Sequence, residues 1–372
     1  MNEDKAARYH RLKRRTSFVS RVWSALLLGT LLTTGGSASM RDIAERLSVS
    51  VPTALSSVVI VATYVTLLTI LHEIGSLPIG WFGGFVIERR YNLSSQNFRG
   101  WLTGQAKALV LSLVIGTIGV EIVYAFMRRA PWGWWLPTGM VFALLLIGLA
   151  NLGPVLLMPL FYRVRPLARE SLRQRLVSLA ERSGARVLGA YEWGLGTDTR
   201  KANAALTGLG GTRRILVSDT MLAEYSDEEI EVVFAHELAH HVHGDIWKGM
   251  VFESLLILAG CFAASRVMGW GVSTIGLRSG ADIAGLPLLL LVSGAVSLVM
   301  VPAAHAMSRH SERRADRFAL TLTGNPAAFV SAMKRIGAQN LAEEDPTRLV
   351  RWLFHSHPPI GDRIAAARRF TD

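Results

Sequence analysis

Cysteine is almost missing from this chain: Cys261 stands alone among 372 residues, inside an apolar run. That excludes an intramolecular disulfide, so any metal must be held by His and carboxylate ligands. Charge is scarce too. Only 18% of residues are charged while 50% are hydrophobic, and the mean hydropathy is +0.31. A soluble domain of this length carries more charge, so several membrane spans are expected. Acidic residues are the scarcer sign, 28 against 40 Lys and Arg, for a net charge of +12. There is no aromatic-and-basic strand pattern of the RNA-binding kind, no nucleic-acid motif, and no P-loop Lys-Ser/Thr after the Gly-rich stretch 208–211. The Arg and Lys gather between apolar runs instead, so the positive balance reads as membrane topology and no nucleic-acid partner is expected.

Residues 1–21 are polar and basic, with Lys13, Arg14, Arg15 and Arg21 among them. The apolar stretch from Val22 to Thr34 is short for a crossing. It reads as a retained anchor, because the basic segment is long and more spans follow. A cleaved signal is the alternative, with Ser37-Ala38-Ser39 as its small-residue cleavage site. Longer runs cover Pro52 to Ile87, Ala106 to Met127 and Trp132 to Phe161, each exceeding the ~20 residues that cross a hydrocarbon core. After a long polar segment come Met250–Trp270 and Ala284–Ala306, for about six spans in all. Glu73, Glu121, Asn151 and Glu253 lie within these runs, where polar groups are costly unless they face protein or water. They mark either local hydrogen bonds between helices or a water-filled cavity.

The positive-inside rule places 1–21, Arg89, Arg90, Arg99, Lys107, the segment 162–248 and the tail from Arg309 in the cytoplasm. The pair Arg128-Arg129 is the one counter-signal. A composition rich in Arg, Ala, Gly and Leu and poor in Lys points to a high-GC bacterium, hence to its inner membrane.

The segment 162–248 reads as a small α/β unit. Leu167–Ser183 has helical periodicity, Arg186–Trp193 alternates like a strand, and Asn203–Leu209 and Arg213–Ser218 read as strands joined by Gly210-Gly211-Thr212. Ser226-Asp227-Glu228-Glu229 is a capping box that opens the next helix, with Ile230, Val233, Phe234 and Leu238 as its apolar stripe. Its later turns carry His236-Glu237-Leu238-Ala239-His240. With ~3.6 residues per turn, His236 and His240 lie about 40° apart on one face and can grip one Zn²⁺, while Glu237, about 100° round, stays free as a carboxylate base. These are the working parts of a zinc peptidase. The bland reading is a solvated, His-rich helix end.

Two His are not a complete site. The metzincin pattern needs Gly at 243 and His at 246, where His243 and Ile246 stand. A Glu nineteen residues past the second His would fall on Ala259. That leaves a distant carboxylate. Two spans later the chain returns to the same side with Glu312 and Asp316, which share a helix face. Glu312 can then bind the metal while Asp316 holds a ligating His. His241 and His243 share the ligand face poorly and read as flanking residues, and nothing in the sequence gives Asp245 a catalytic role.

With these residues in hand the chain resembles the integral-membrane zinc metallopeptidases of the CAAX prenyl protease type 1 family, with HtpX-type proteases as more distant relatives. The matching stretches are Val86-Ile87-Glu88-Arg89-Arg90-Tyr91-Asn92, Asn203-Ala204 through Gly208, and Arg214-Ile215-Leu216-Val217-Ser218-Asp219-Thr220. The His236–His240 motif, Glu312 with Ala315-Asp316 and Phe318-Ala319, and His357-Pro358 with Arg363 complete the series, which spans roughly residues 50–370. One departure is Ala239, where the family usually has Gly.

The resemblance implies one Zn²⁺ on His236, His240 and Glu312, Glu237 as general base, and Asp316 behind a ligating His. It implies that Asn203, on an edge strand, holds the substrate backbone, and that His357 and Arg363 stabilise the oxyanion or anchor the substrate. It also implies a protein or peptide substrate: the prenylated C-terminal tail that the eukaryotic family cuts, or damaged membrane proteins in the HtpX manner. A non-catalytic scaffold or transporter of the same fold would have lost a ligand or the base, and none is lost.

The expected fold is mainly α: a multi-span helical membrane protein, embedded in the lipid bilayer, with a small zincin-like α/β catalytic unit inserted between spans. Its parts are an N-terminal membrane domain over 1–161 with about four spans, the catalytic unit over 162–248, a two-span hairpin over 249–307, and C-terminal catalytic helices over 308–372.

Overall fold

The structure is a computed structural model that describes residues 2–156, 162–196, 199–208, 213–343 and 345–370. The first helix, α1 (Asn2–Thr33), corrects the sequence reading at once. The basic segment and the apolar stretch are one helix, because Gly29 is the sole glycine and no proline interrupts. Apolar side chains such as Phe18 and Leu26 face outward, and the stretch apolar enough to cross a membrane runs over Lys5–Thr33, so this span is not short.

Gly35, with φ 75, ends that helix in the left-handed region. The segment between the first two apolar runs forms α2 (Gly36–Ser48). A buried ion pair of 2.8 Å between Arg41 and Asp282 ties α2 to the far end of the bundle.

Helix α3 (Thr53–Arg90) continues straight through His72 and Glu73. Pro78 cannot donate to the carbonyl a turn earlier, and just beyond it the helix loosens into a π-helical stretch over Trp81–Val86. Gly75 lets α1 approach, since a Cβ there would sit inside the Trp23 ring. Helices α4 (Phe98–Arg129) and α5 (Trp135–Leu156) follow. Residues 157–161 of the fourth apolar run, with Pro159, lie outside the described residues, as do the side chains of Asn151 and Pro154.

The remaining two spans are α9 (Asp245–Thr274) and α10 (Leu286–Thr323), which pack on each other, α9 also packing on α5. Among the described residues five helices are long and apolar enough to cross a membrane, and Trp135–Ala150 is a shorter apolar helix beside them. Both α9 and α10 run without a break across the divisions drawn at 248 and 307. Of the polar residues in the apolar runs, Glu121 meets Arg128 at 3.5 Å, and Glu253 lines a cavity of about 620 Å³ with Phe142, Leu145, Ser293 and Ser297.

Between α5 and α9 in sequence the chain forms a four-stranded sheet. Its strands are β1 (Arg163–Pro166), β2 (Ala190–Gly194), β3 (Ala204–Thr207) and β4 (Arg214–Ser218), in the order β1-β2-β4-β3. Only the β2–β4 pair is parallel. Strand β1 has no counterpart in the sequence reading, and the turn 209–212 lies outside the described residues. Helices α6 (Glu170–Arg182) and α8 (Asp227–Val242) cover the sheet, with the short α7 (Asp219–Glu224) between β4 and α8. Leu172, Leu176, Ile215, Val217, Ile230 and Phe234 fill the core between them. Helices α11 (Pro326–Gln339), α12 (Arg348–Phe354) and α13 (Ile360–Arg368) close the unit.

Candidate active site

Helix α8 owes its start to the capping box. Ser226 Oγ accepts from the Glu229 amide at 3.2 Å, and Glu229 Oε2 accepts from the Ser226 amide at 2.9 Å. Ile230, Val233, Phe234 and Leu238 are buried, as the stripe requires. The helix therefore presents His236 and His240 along one side, against α10.

Helix α10 supplies the other half. Glu312 Oε2 lies 3.2 Å from His236 Nε2, and Glu312 Oε1 lies 3.5 Å from His240 Nε2. One ligand atom from each of the three residues falls within 4.8 Å of the others. The far sides of both rings are taken: His236 Nδ1 sits 2.9 Å from Asp316 Oδ1, and His240 Nδ1 sits 3.1 Å from Asp245 Oδ2. These partners fix the tautomers and aim both Nε2 atoms at one point.

The group fits a divalent metal. Glu312 Oε2 is buried with no hydrogen bond of proper geometry, although His357 Nδ1 comes within 2.9 Å. Asp316 and Asp245 are each paired with an arginine, Arg363 and Arg314, so Glu312 is the carboxylate turned to the two ligand imidazoles. Burial works against protonating His236, yet the neighbouring Asp316 and Glu312 carboxylates overcome it and hold its pKa at about 9. His240 is raised as well, burial again opposing and Glu312 prevailing.

Glu237 stays off the ligand cluster. It lines a cavity of about 360 Å³ with Asn203, His357 and Arg363, and burial pushes its carboxyl above the usual carboxylate range. Asn203 is exposed immediately before edge strand β3, its amide donating to Ser218 Oγ at 3.0 Å. His357 hangs over the cavity with 63% of its side chain exposed. Arg363 is instead buried and bidentate on Asp316, at 2.5 Å and 2.9 Å, with Nη2 also 3.3 Å from His236 Nδ1. All eight residues singled out from the sequence thus meet around one cavity and its wall.

Two contributors escaped the sequence reading. Asp245 follows the break at Gly244 (φ 66), so helical periodicity could not connect it to His240. Buried Arg309 donates to the carbonyls of Arg351 and His355 at 3.2 and 2.7 Å, which docks the chain leading to His357 on α10; no sequence signal marks it. His241, read as a flanking residue, bonds the Leu206 carbonyl at 3.0 Å and pins β3 to α8.

Helices long enough to cross a membrane, a paired-His helix and a distant carboxylate beside a sheet edge are the parts of a membrane metalloendopeptidase. Residues 166–371 match peptidase family M48, and residues 2–163 match the CAAX prenyl protease N-terminal region with its five membrane helices. The chain belongs to peptidase family M48. Among its relatives, the Bacillus subtilis protein called Uncharacterized metalloprotease YhfN is 30% identical over 310 residues, covering 82% of this chain and 72% of that one. CAAX prenyl protease 1 of Saccharomyces cerevisiae is 25% identical over 82% of this chain and 71% of its own. A Protease HtpX homolog of Herminiimonas arsenicoxydans is 29% identical over 72% of this chain and 96% of its own. The fold is that of S. mikatae Ste24p, whose crystal structure superposes with a TM-score of 0.85 at 22% identity, over 98% of this chain and 88% of the other.

Proposed function

We propose that this chain hydrolyses peptide bonds with one Zn²⁺ held by His236, His240 and Glu312. The observation that carries the reading is the convergence of two imidazole Nε2 atoms and a buried, unbonded carboxylate oxygen, with both Nδ1 atoms held from behind. When bound, the ion supplies Lewis acidity, polarising the scissile carbonyl and making water a stronger acid near neutral pH. Glu237 accepts the proton of the attacking water and passes it to the leaving amine, a role that suits a carboxyl whose proton affinity burial has raised. Asn203 and the outer edge of β3 at Ala204, short of the Leu206 carbonyl that His241 holds, take the substrate as an added strand. His357, exposed over the cavity, is the donor available to the developing oxyanion, while Arg363 acts chiefly through Asp316.

The basic segments support a site on the cytoplasmic side, and the composition rich in Arg, Ala, Gly and Leu supports a bacterial inner membrane. Substrates are peptide segments presented near that membrane. Similarity to CAAX prenyl protease 1 favours prenylated C-terminal tails, and the HtpX homolog favours the second reading, damaged membrane proteins. Purified protein and a broad peptide library, run with and without a farnesylated CAAX peptide, separate the two. In the same assay Glu237→Gln is expected to abolish cleavage while zinc content stays at one per chain. Undiminished cleavage by that variant overturns the assignment.

A further inference from the structure

We propose that Glu88 is a positioning residue for the cleavage reaction, acting through Lys201 to set the placement of the edge segment that receives the peptide. This rests on the reading of Asn203 and β3 as the substrate edge.

Glu88 lies near the end of α3, beyond the π-helical stretch and far in sequence from the ligand motifs. Its side chain, only 12% exposed, is an acceptor for three donors from two other parts of the chain. Tyr9 Oη donates to Oε1 at 2.8 Å and Lys13 Nζ lies 2.9 Å from the same atom, both from α1. Lys201 Nζ lies 3.0 Å from Oε2, and also donates to Tyr9 Oη at 3.2 Å with its ammonium over the Tyr9 ring. A carboxylate with two ammonium partners and little solvent makes charge-assisted hydrogen bonds, which are the strong kind. Around it, Tyr9, Ile87, Tyr91 and Leu93 form a small core of their own.

Lys201 stands two residues before Asn203 and three before β3. Its stretch of chain has few other ties to the membrane helices. The Leu93 carbonyl accepts from the Arg200 amide and from Thr199 Oγ1, each at 3.0 Å. Leu93 is itself turned toward the site by Asn92, which adopts a left-handed φ of 61, and its amide donates to the Glu88 carbonyl at 2.8 Å. So Glu88 and the turn it starts hold residues 199–201 from the membrane side, while Ser218 and Thr220 hold 201–203 from β4 and α7. Ala202, Asn203 and Ala204 line the cavity that also contains Glu237. A small shift of this segment moves the main-chain partners of an added peptide strand, so the peptide seats less tightly beside Glu237 and the ligands.

The partners of Glu88 differ in a way that makes the idea testable. Lys201 belongs to the edge segment, whereas Lys13 shares the carboxylate but touches only the membrane helices. Lys201→Met is expected to raise the KM for a library peptide about tenfold, the scale of a lost charged hydrogen bond, with kcat little changed. Glu88→Gln should match it, and the double variant should be no worse than either single one, since both cut the same link. Lys13→Met should leave KM unchanged, and Lys201→Arg, which keeps the cation, should restore it. Zinc content and melting temperature are measured alongside for each variant, and Glu237→Gln serves as the reference for the chemistry itself. An unchanged KM in well-folded Lys201→Met, or an equal rise in Lys13→Met, overturns the proposal, and neither outcome touches the role of Glu237. If Lys201→Met fails to fold, the Arg variant decides: a KM still raised in a folded, zinc-loaded Lys201→Arg chain sinks the link.

Discussion

Asp245 hydrogen-bonds the Nδ1 of His240 across a helix break, at 3.1 Å, and so does for the second histidine what Asp316 does for the first. The two carboxylates come from opposite helices, α9 and α10, and each is held in turn by an arginine, Arg314 for Asp245 and Arg363 for Asp316. Removing such a partner leaves the imidazole free to rotate and to change tautomer, a loss that typically weakens metal binding by about 10- to 100-fold. Asp245→Ala is therefore expected to surrender zinc to a chelator at correspondingly lower concentration, with the peptide KM of the zinc-saturated enzyme nearly unchanged. Chelator competition with the purified protein measures this, and an affinity equal to wild type would remove Asp245 from the site.

Glu229 links helix start to acid stability. Its carboxylate closes the capping box on Ser226 and also accepts from Ser331 and from Arg335 Nε, the latter at 3.0 Å, so it pins α11 to α8. Burial alone would raise its pKa, but the hydrogen bonds from Ser331 and Ser226, with Arg335, outweigh that and hold it below the usual 4.5. A carboxylate with a lowered folded-state pKa stabilises the fold above its unfolded value, and that contribution fades as pH falls through the folded one. Glu229→Gln, which can keep the capping box but loses the charge that Arg335 and Ser331 bond, should thus cost about 1 kcal/mol near neutral pH. The gap from wild type should close below the carboxylate range. Denaturant titrations of both proteins at the two pH values test this; a gap that widens in acid contradicts it.

Much of the ligand set was legible because it is written in local periodicity. The spacing of His236 and His240, the capping box and the Glu312–Asp316 pair are all statements about one helix at a time. Asp245 was not legible, since the break at Gly244 resets the helical phase between it and His240. The length of α1 was hidden for a different reason. Hydropathy distinguishes the basic residues around Lys13 from the apolar ones after Val22, whereas the backbone sees only good helix formers in both. The sheet order β1-β2-β4-β3 puts β3 outside β4, so that β2 pairs with β4 and not with its successor, and such pairing of partners far apart in sequence is reported by no window of residues.

The contact of α1 with α3 offers a packing test away from the chemistry. Trp23 lies against Gly75 so closely that no Cβ fits, and its Nε1 donates to the His72 carbonyl at 3.1 Å. Gly75→Leu must push the indole away and break that hydrogen bond, and overpacking of this kind costs about 1–3 kcal/mol. We expect a lower melting temperature in detergent with zinc content unchanged. A variant as stable as wild type would show that α1 is not seated on α3 through Trp23.

Metal removal should loosen the join between α8 and α10. Without the ion that join keeps its apolar contacts, but Glu312 from α10 is left facing the two imidazoles of α8 with only their protons between them, a poorer match than a divalent cation. A ligand that binds only the folded chain stabilises it by mass action, about 2.7 kcal/mol at a hundredfold excess over its dissociation constant. EDTA should therefore lower the melting temperature of the wild-type protein, and stoichiometric zinc should restore it. In Glu312→Ala, which lacks the ligand from α10, the chelator should shift melting far less. If wild type melts identically with and without chelator while losing activity, the metal does not bridge the two helices, and the ligand from α10 must be sought in another residue.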